Sequence, residues 1–459
     1  MLLRIPGLVL ALFAAACGHP APSSPTDDAL AADAATADVA GDTMDASADA
    51  LVLDAPVTQD GPSDAAMLDA EVDATPDAIA DASLDAPASD APVGCGVLPD
   101  DPADVFVDAR STAAMQVGTA SCPFLTISAA LALSPPTAPR RVHVKGGVPA
   151  VDYIEPGLLA LPPQLTLEGD GADRVTVGGV GGGGSCAIVV SPSCTVSLAG
   201  GATLRDLTVT SATGSAIEVK AGTGPARIER VIATRAKQIG FAIRADAVLD
   251  HASALDNDGD GLDARTATVT VRDSEFRLNT GHGLDIDTGA TLTLTGATIH
   301  NNGGRGILLH NGTQFAPLAH AITGADIQQN LFAGIDVASN ASLTLRGTTM
   351  FQNEFGVLYQ VGPSNTLDVG TSAAPGNNVF AGATPVNGNA RAGLCMQSTR
   401  ATPTQLVEGN RWRACPPAQK KITGPFCSSN NGYSDIAYVP AVATSGPPVV
   451  APAACTVGP

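Results

Sequence analysis

Glycines recur along the chain about every 22 residues, and each stands just before a short apolar segment. They are Gly240, Gly261, Gly283, Gly306, Gly334 and Gly356. The segments that follow alternate apolar and polar residues, as in LDA, LDI and IDV, and a second alternating segment recurs in each row, as in ATVTVRDSEF and ATLTLTGATI. Such alternation is typical of β-strands with one buried face. Because one coil of this size cannot bury its apolar face alone, the period predicts a stacked β-solenoid.

An asparagine precedes most of these glycines by three or four residues. The members of this column are Asn257, Asn279, Asn302, Asn330 and Asn353. Stacked coils would place them above one another in a turn, where asparagine tolerates a left-handed backbone and can bond to its neighbour along the stack. We therefore expect a structural asparagine ladder, with an exposed binding site as the alternative.

The segment DNDGDGLD at 256–263 lies in one of these rows. Asp256, Asp258 and Asp260 have the spacing that opens a calcium-binding EF-hand loop, but Ala267 stands where such a loop needs glutamate. We interpret the segment as a solvated turn followed by the start of a strand. A looser calcium site at Asp256, Asp258 and Asp260 is the alternative, and calcium is the one candidate cofactor.

The rows and the segment before them resemble a known family. Gly118, Thr119 and the segment Cys122-Pro123-Phe124, followed by Thr126, Ile127, Ala130 and Leu131, are similar to the entry segment of the pectate-lyase-like superfamily. The resemblance covers residues 104–410. It implies an all-β fold, a right-handed single-stranded parallel β-helix with a short capping helix at about 125–134. It implies no single activity, because this fold carries lyases, hydrolases, esterases and adhesins.

The residues that point outward from the strands form the candidate binding surface. Successive rows present Glu218 and Lys220, Ala242 and Arg244, Asp263 and Arg265, Asp285 and Asp287, Leu308 and His310, and Asp336 and Ala338. Neighbouring coils lie about 4.8 Å apart, so Asp263 and Asp285 can approach as a carboxylate pair with separated pKa values. Arg265 would weaken that effect, and a salt-bridge ladder is the alternative interpretation.

Two enzyme mechanisms of the superfamily are only partly matched. Gly281-His282-Gly283 resembles a polygalacturonase segment, and Asp260 falls where that family has a catalytic aspartate, but Ile239 replaces the acid expected one coil earlier. A lyase would need Asp285 and Asp287 as calcium ligands beside Arg265 or Arg244. The candidate catalytic residues are therefore Asp260, Asp263, His282 and Asp285. Aromatic platforms for sugars are scarce, with Phe351, Phe355 and Tyr359 as the few candidates.

The first 94 residues indicate an exported protein. An apolar run after Arg4 reads as a signal peptide over 1–17, and Ala14-Ala15-Ala16-Cys17 resembles a bacterial lipobox, which implies a lipid on Cys17. Gly18 favours an outer-membrane address, at the cell surface or the periplasmic face. Residues 18–94 contain 17 acidic residues and no Lys or Arg, so we expect a disordered linker.

The number of cysteines is consistent with an exported protein. Without Cys17, eight cysteines remain, which can form four disulfides: Cys186 and Cys194 are a local candidate pair, Cys95 and Cys122 a candidate pair at one end of the domain, and the last four cysteines candidates at the other end. The eight are Cys95, Cys122, Cys186, Cys194, Cys395, Cys415, Cys427 and Cys455. We expect the β-helix over 95–390 and a disulfide-rich cap over 391–459.

The main role predicted from these features is non-catalytic binding of a cell-surface polysaccharide or another polymer by a monomeric protein. A polysaccharide lyase or glycosidase is the alternative, and a structural envelope component is the second. Residues 95–459 hold 28 acidic and 23 basic residues, so no basic surface suggests nucleic acid.

Overall fold

The structure is a computed structural model. It describes residues 94–97, 102–133, 138–179, 193–287, 289–310, 318–338, 340–361, 365–380, 389–398, 407–412, 417–421, 434–439 and 456–457. The signal peptide with Cys17, the linker up to residue 93, and Cys186, Cys415, Cys427 and Cys455 lie outside these ranges. Within them, no helix has the length and apolar character needed to span a membrane.

The chain winds through three parallel sheets, which we call A, B and C. Sheet A contains β1 (Asp104–Val107), β2 (Arg140–Val144), β5 (Leu165–Gly169), β8 (Thr203–Arg205), β11 (Ala226–Glu229), β14 (Ala247–Asp250), β17 (Thr268–Arg272), β20 (Thr291–Thr295), β23 (Leu318–Thr323), β26 (Ala341–Arg346) and β29 (Leu367–Asp368). Sheet B contains β3 (Val151–Glu155), β6 (Val175–Gly179), β9 (Thr208–Ser211), β12 (Ile232–Thr234), β15 (Ser253–Leu255), β18 (Glu275–Arg277), β21 (Thr298–His300), β24 (Asp326–Gln328) and β27 (Thr349–Phe351).

Sheet C contains β4 (Leu159–Leu161), β7 (Cys194–Ala199), β10 (Ser215–Lys220), β13 (Phe241–Ile243), β16 (Leu262–Ala264), β19 (Leu284–Ile286), β22 (Ile307–Leu309), β25 (Ala333–Val337), β28 (Phe355–Val361), β30 (Ala392–Ser398), β33 (Ser434–Val439) and β32 (Gln419–Lys421). A short pair, β31 (Arg411–Trp412) and β34 (Thr456–Val457), completes the strands described. Each full coil contributes one strand to each sheet, so the predicted right-handed parallel β-helix is confirmed.

The repeat places equivalent residues in register on neighbouring coils. Leu262 pairs with Leu284, and Ile307 pairs with Ile335, all with side chains fully buried in one shared interior. Pairing in sheet C continues beyond residue 390 through β30, β33 and β32. The coil therefore persists into the region predicted as the cap.

The asparagine column forms the expected ladder. Asn279 Nδ2 donates to Asn302 Oδ1 at 3.0 Å, and Asn302 Nδ2 donates to Asn330 Oδ1 at 2.9 Å. The same bond joins Asn257 to Asn279 and Asn330 to Asn353, and Asn389 continues the series. All these side chains are buried, so the structural interpretation is confirmed.

The expected left-handed backbone, however, falls one residue earlier than predicted. Positive φ angles occur at the residues just before the ladder: Asp256, Leu278, Asn301, Gln329 and Gln352. The turn bends there, and the following asparagine is left free to aim its amide along the stack. The asparagine ladder and the neighbouring backbone leave no room for a side chain at the repeated glycines. A Cβ on Gly261 would lie 2.8 Å from Asn279 Nδ2 and 2.6 Å from the carbonyl oxygen of Gly283.

The N-terminal end of the solenoid is closed by α1 (Ile127–Leu131), which lies within the predicted helical segment but is shorter. Thr126 caps it, and the buried carboxylate of Glu155 accepts hydrogen bonds from the amides of Ile127 and Ser128 at 2.8 and 3.2 Å. Cys95 and Cys122 form a disulfide beside this helix, and Cys194 and Cys395 are also disulfide-bonded.

Candidate functional site

The outward residues of sheet C form the two predicted columns, and a third column runs through the residue directly before each repeated glycine. On the coil of β19 they are His282, Asp285 and Asp287, and on the coil of β22 they are Arg305, Leu308 and His310. All six side chains are partly exposed. We call these six residues the open patch.

Sheet C is covered on both sides of the open patch. In the middle column, Asp285 and Leu308 are partly exposed, whereas their neighbours are buried. The buried members are Ser197, Glu218, Ala242, Asp263, Asp336, Leu358, Cys395 and Ala437. Between Ser197 and Ala437, the middle of sheet C is therefore accessible over these two coils, while the end members of the column, Ala160 and Lys420, are exposed and partly exposed.

Two glycines make room for the side chains beside the patch. A Cβ on Gly281 would collide with Asp260 Oδ1, and a Cβ on Gly304 would collide with His282 Nδ1. The carboxylate of Asp260 lies over Gly281 and accepts a hydrogen bond from the backbone N–H of His282 at 2.6 Å. Burial raises the pKa of Asp260. The Gly-His-Gly segment thus has a steric role in placing both side chains.

His282 is held as a neutral imidazole of defined tautomer. Its Nδ1 accepts a hydrogen bond from the backbone N–H of Arg305 at 3.0 Å, which leaves the proton on Nε2. Burial, reinforced by the positive charge of Arg305, lowers the pKa of His282 to about 4. At neutral pH, His282 is therefore uncharged and offers an Nε2–H donor.

Asp285 lies at the centre of the patch with an unsatisfied carboxyl oxygen. Burial raises its pKa to about 6, in spite of the opposing influence of His310. Asp285 Oδ1 is buried and lies 2.9 Å from His310 Nε2 in an ion-pair contact, but it accepts no hydrogen bond from the described residues. A partly buried carboxyl with a raised pKa is a candidate for proton transfer.

Asp263, the other half of the predicted carboxylate pair, is occupied. It is in register with Asp285, but its two oxygens lie 3.0 to 3.3 Å from the guanidinium nitrogens of Arg244 and Arg265. Its side chain is only 4% exposed. Arg265 also contacts Asp287 at 3.2 Å. The pair is therefore adjacent, as predicted, but a salt-bridge ladder surrounds Asp263.

The three predicted calcium ligands are held apart by other contacts. Asp258 pairs with Lys237 at 2.9 Å, Asp256 is exposed at the left-handed turn, and Asp260 faces His282. Among the described residues, one group of acidic and histidine side chains brings three potential ligand atoms within 4.8 Å of one another, namely Asp250, His251 and Asp273 on another part of the surface.

The structure adds two residues to the site that the sequence analysis missed. Arg305 occupies the row position of Asp260 and His282, directly before the repeated glycine, and an alignment of rows at that position would have found it. Phe332, one coil further on, is the partly exposed aromatic ring closest to the patch in register. Phe355 and Tyr359, which the sequence offered as sugar platforms, are fully buried.

A comparison with protein-family models supports the right-handed β-helical fold. The family model described as "Right handed beta helix region" matches residues 169–318. A comparison with curated protein sequences gives no significant match.

Solved structures similar to the chain include pectate lyase Pel9A, with 14% identity and a TM-score of 0.46 over 64% of this chain and 75% of that one. The A-module of the Azotobacter vinelandii mannuronan C-5 epimerase AlgE6 has 17% identity and a TM-score of 0.47 over 69% and 90%. Tailspike protein 2 of bacteriophage CBA120 has 11% identity and a TM-score of 0.41 over 65% and 42%. These likenesses are weak, and the fold of this chain is defined by its own three parallel sheets.

Proposed function

We propose that the open patch on sheet C binds a glycan. The observation that carries this proposal is the pairing, on one coil, of a fixed donor with a partly exposed carboxylate. The Nε2–H of neutral His282 makes no hydrogen bond within the described residues, and the Asp285 side chain keeps 18% of its surface exposed although its Oδ1 is buried against His310. A sugar hydroxyl is both donor and acceptor, so a hydroxyl-rich ligand can satisfy both groups at once.

The rest of the patch suits the same class of ligand. His310 keeps 40% of its side chain exposed and can donate to hydroxyl or carboxylate oxygens. Leu308 supplies an apolar floor for the C–H face of a sugar ring. The two-coil width favours recognition of a few sugar units rather than of a long stretch of polymer.

Binding is tested with a panel of soluble neutral and acidic polysaccharides, including xylan, dextran, alginate and polygalacturonate, measured by titration calorimetry. Asp285→Asn is expected to weaken binding about 10- to 100-fold, because a neutral amide replaces the charged acceptor. Asp152→Asn, an exposed substitution on the outer face of sheet B, is the matched control. Equal affinities of the two variants would refute the assignment of the patch.

Glycan cleavage is a second candidate function, favoured by the pKa of about 6 at Asp285. A carboxyl poised near neutral pH is suited to donate a proton to a glycosidic oxygen. Release of reducing ends, declining above about pH 6 and abolished in Asp285→Asn, would support it. Binding of the panel without any release would leave the non-catalytic role.

We further propose that Cys17 carries a lipid and that the acidic segment 18–94 tethers the β-helix to an outer membrane. The lipobox-like sequence before Cys17 supports this proposal. Mass spectrometry of the mature N-terminus tests it, with a diacylglyceryl adduct expected on Cys17 and no adduct in Cys17→Ser. An unmodified Cys17, or cleavage at another residue, would contradict it.

A further inference from the structure

The next coil beyond the open patch contains a second unused acceptor. Asp336 follows Leu308 in the middle column, and its side chain is 4% exposed. Its Oδ2 accepts a hydrogen bond from Arg305 Nε at 2.5 Å, whereas Oδ1 is buried and has no hydrogen-bond partner among the described residues. A buried carboxyl oxygen without a donor is unfavourable, and a hydroxyl group would satisfy it.

The same arginine also covers an aromatic ring. The guanidinium carbon of Arg305 lies 4.9 Å from the centre of the Phe332 ring. Phe332 is fixed from behind by the buried ring of Phe355, with centroids 5.6 Å apart and planes at 71°. Leu331, just before it, is 76% exposed. One partly exposed guanidinium thus covers both a fixed aromatic ring and an unsatisfied carboxyl.

We propose that Phe332 and Asp336 form a second sugar subsite, which the guanidinium of Arg305 occupies when no glycan is bound. A pyranose ring can replace the guanidinium at both contacts. Its C–H face packs on the electron-rich face of an aromatic ring, and its hydroxyls donate to the carboxyl oxygens. Arg305 is attached by a flexible side chain and can turn outward to the solvent. The inference rests on the proposed function of the open patch.

Occupation of this subsite depends on the length of the glycan. Asp336 lies two coils from Asp285, which is roughly 10 Å along the solenoid axis. A disaccharide seated at Asp285 and Leu308 is expected to end before Asp336, whereas a hexasaccharide is expected to extend over it. The ratio of hexasaccharide to disaccharide affinity therefore reports on the second subsite, and the absolute affinity reports on the patch.

The test measures this ratio with cello-oligosaccharides and oligogalacturonides as the neutral and acidic probes. In Arg305→Gln the ratio is expected to rise by about fivefold, since the displaced cation–π and ion-pair contacts are worth about that at a partly exposed site. In Phe332→Leu the ratio is expected to fall by a similar factor. Asp152→Asn is the control and leaves the ratio unchanged, and a thermal melt of each variant verifies folding.

Each outcome has a defined meaning. A ratio that falls in Arg305→Gln would show that Arg305 contacts the glycan directly, and it would overturn the exchange of guanidinium for sugar. A ratio unchanged in Phe332→Leu would overturn the second subsite while the loss of binding in Asp285→Asn still supports the open patch. Binding of neither probe series, together with no binding in the polysaccharide panel, would contradict the proposed function itself.

Discussion

Replacing Asn302 with alanine removes the central link of the buried asparagine ladder. Its Oδ1 accepts hydrogen bonds from the side-chain and backbone nitrogens of Asn279 at 3.0 and 3.2 Å. Its Nδ2 donates to Asn330 Oδ1 and to the carbonyl oxygen of Phe276 at 2.9 and 3.1 Å. Four buried groups lose a hydrogen bond, namely the Asn279 side-chain amide, the Asn279 backbone N–H, the Phe276 carbonyl and Asn330 Oδ1, although the Asn279 amide and Asn330 Oδ1 each keep one other bond.

A buried polar group left without a partner costs about 1 to 3 kcal/mol, so Asn302→Ala is expected to destabilise the protein by about 3 to 6 kcal/mol after partial relaxation. Urea unfolding of the full chain, followed by circular dichroism, gives the change in the free energy of unfolding. Because solenoids can open in segments, hydrogen exchange of the Asn279 and Asn302 amides localises the effect.

The adjacent Asn301 provides the matched control. It is exposed and has a φ of 57°, a conformation that glycine adopts without strain. Asn301→Gly is therefore expected to change stability by less than about 1 kcal/mol. A loss of stability in Asn302→Ala no larger than that of Asn301→Gly would refute the reasoning that the ladder stabilises the stack.

Three further predictions concern the buried His320, the placement of His282 by Gly304, and the carboxylate of Glu155 at the capping helix. Burial of His320, whose Nε2 has no hydrogen-bond partner among the described residues, lowers its pKa to about 4 from 6.5. As the pH falls, the unfolded chain therefore takes up a proton before the folded protein does, so the wild-type protein is expected to lose about 3 kcal/mol of stability between pH 6.5 and 4. His320→Leu is expected to abolish this pH-dependent loss. Parallel stability–pH curves for the two proteins would contradict this. Gly304→Ala is expected to displace the His282 ring from the backbone amide of Arg305 and to return the pKa of His282 from about 4 towards 6.5. An NMR titration measures this pKa, and an unchanged value would show that the glycine is not needed to position the ring. Glu155→Gln is expected to destabilise the capping helix by about 2 kcal/mol and to speed proteolysis near residues 127–131; wild-type resistance would exclude a capping role for the carboxylate.

The fold could be predicted from the sequence because every coil repeats the same pattern of buried strand residues and turn residues. The spacing of Gly240, Gly261 and Gly283 sets the coil length, and the asparagine column sets the turn. The predicted position of the residue with a left-handed backbone was wrong by one residue. Asparagine favours that conformation when it acts alone, but here its side chain is required for the ladder, and residues as different as Leu278 and Gln329 take the left-handed position instead.

The site was only partly predictable for a related reason. Period-two alternation identified Asp263 and Asp285 as outward neighbours, and the structure brings them together. Alternation says nothing about which outward residues are covered, because that depends on long side chains such as Arg244 crossing between coils. Arg305 and Phe332 lie in turns before the strands, outside the period-two alternation.

The account depends most directly on where a glycan sits on the solenoid. A diffraction structure of the protein in complex with the tightest-binding hexasaccharide of the two probe series tests this in one measurement. Sugar density is expected over Asp285 and Leu308, within hydrogen-bonding distance of His282 Nε2, with Arg305 turned away from Phe332. Density confined to sheet A or sheet B, or to an end of the solenoid, would contradict it.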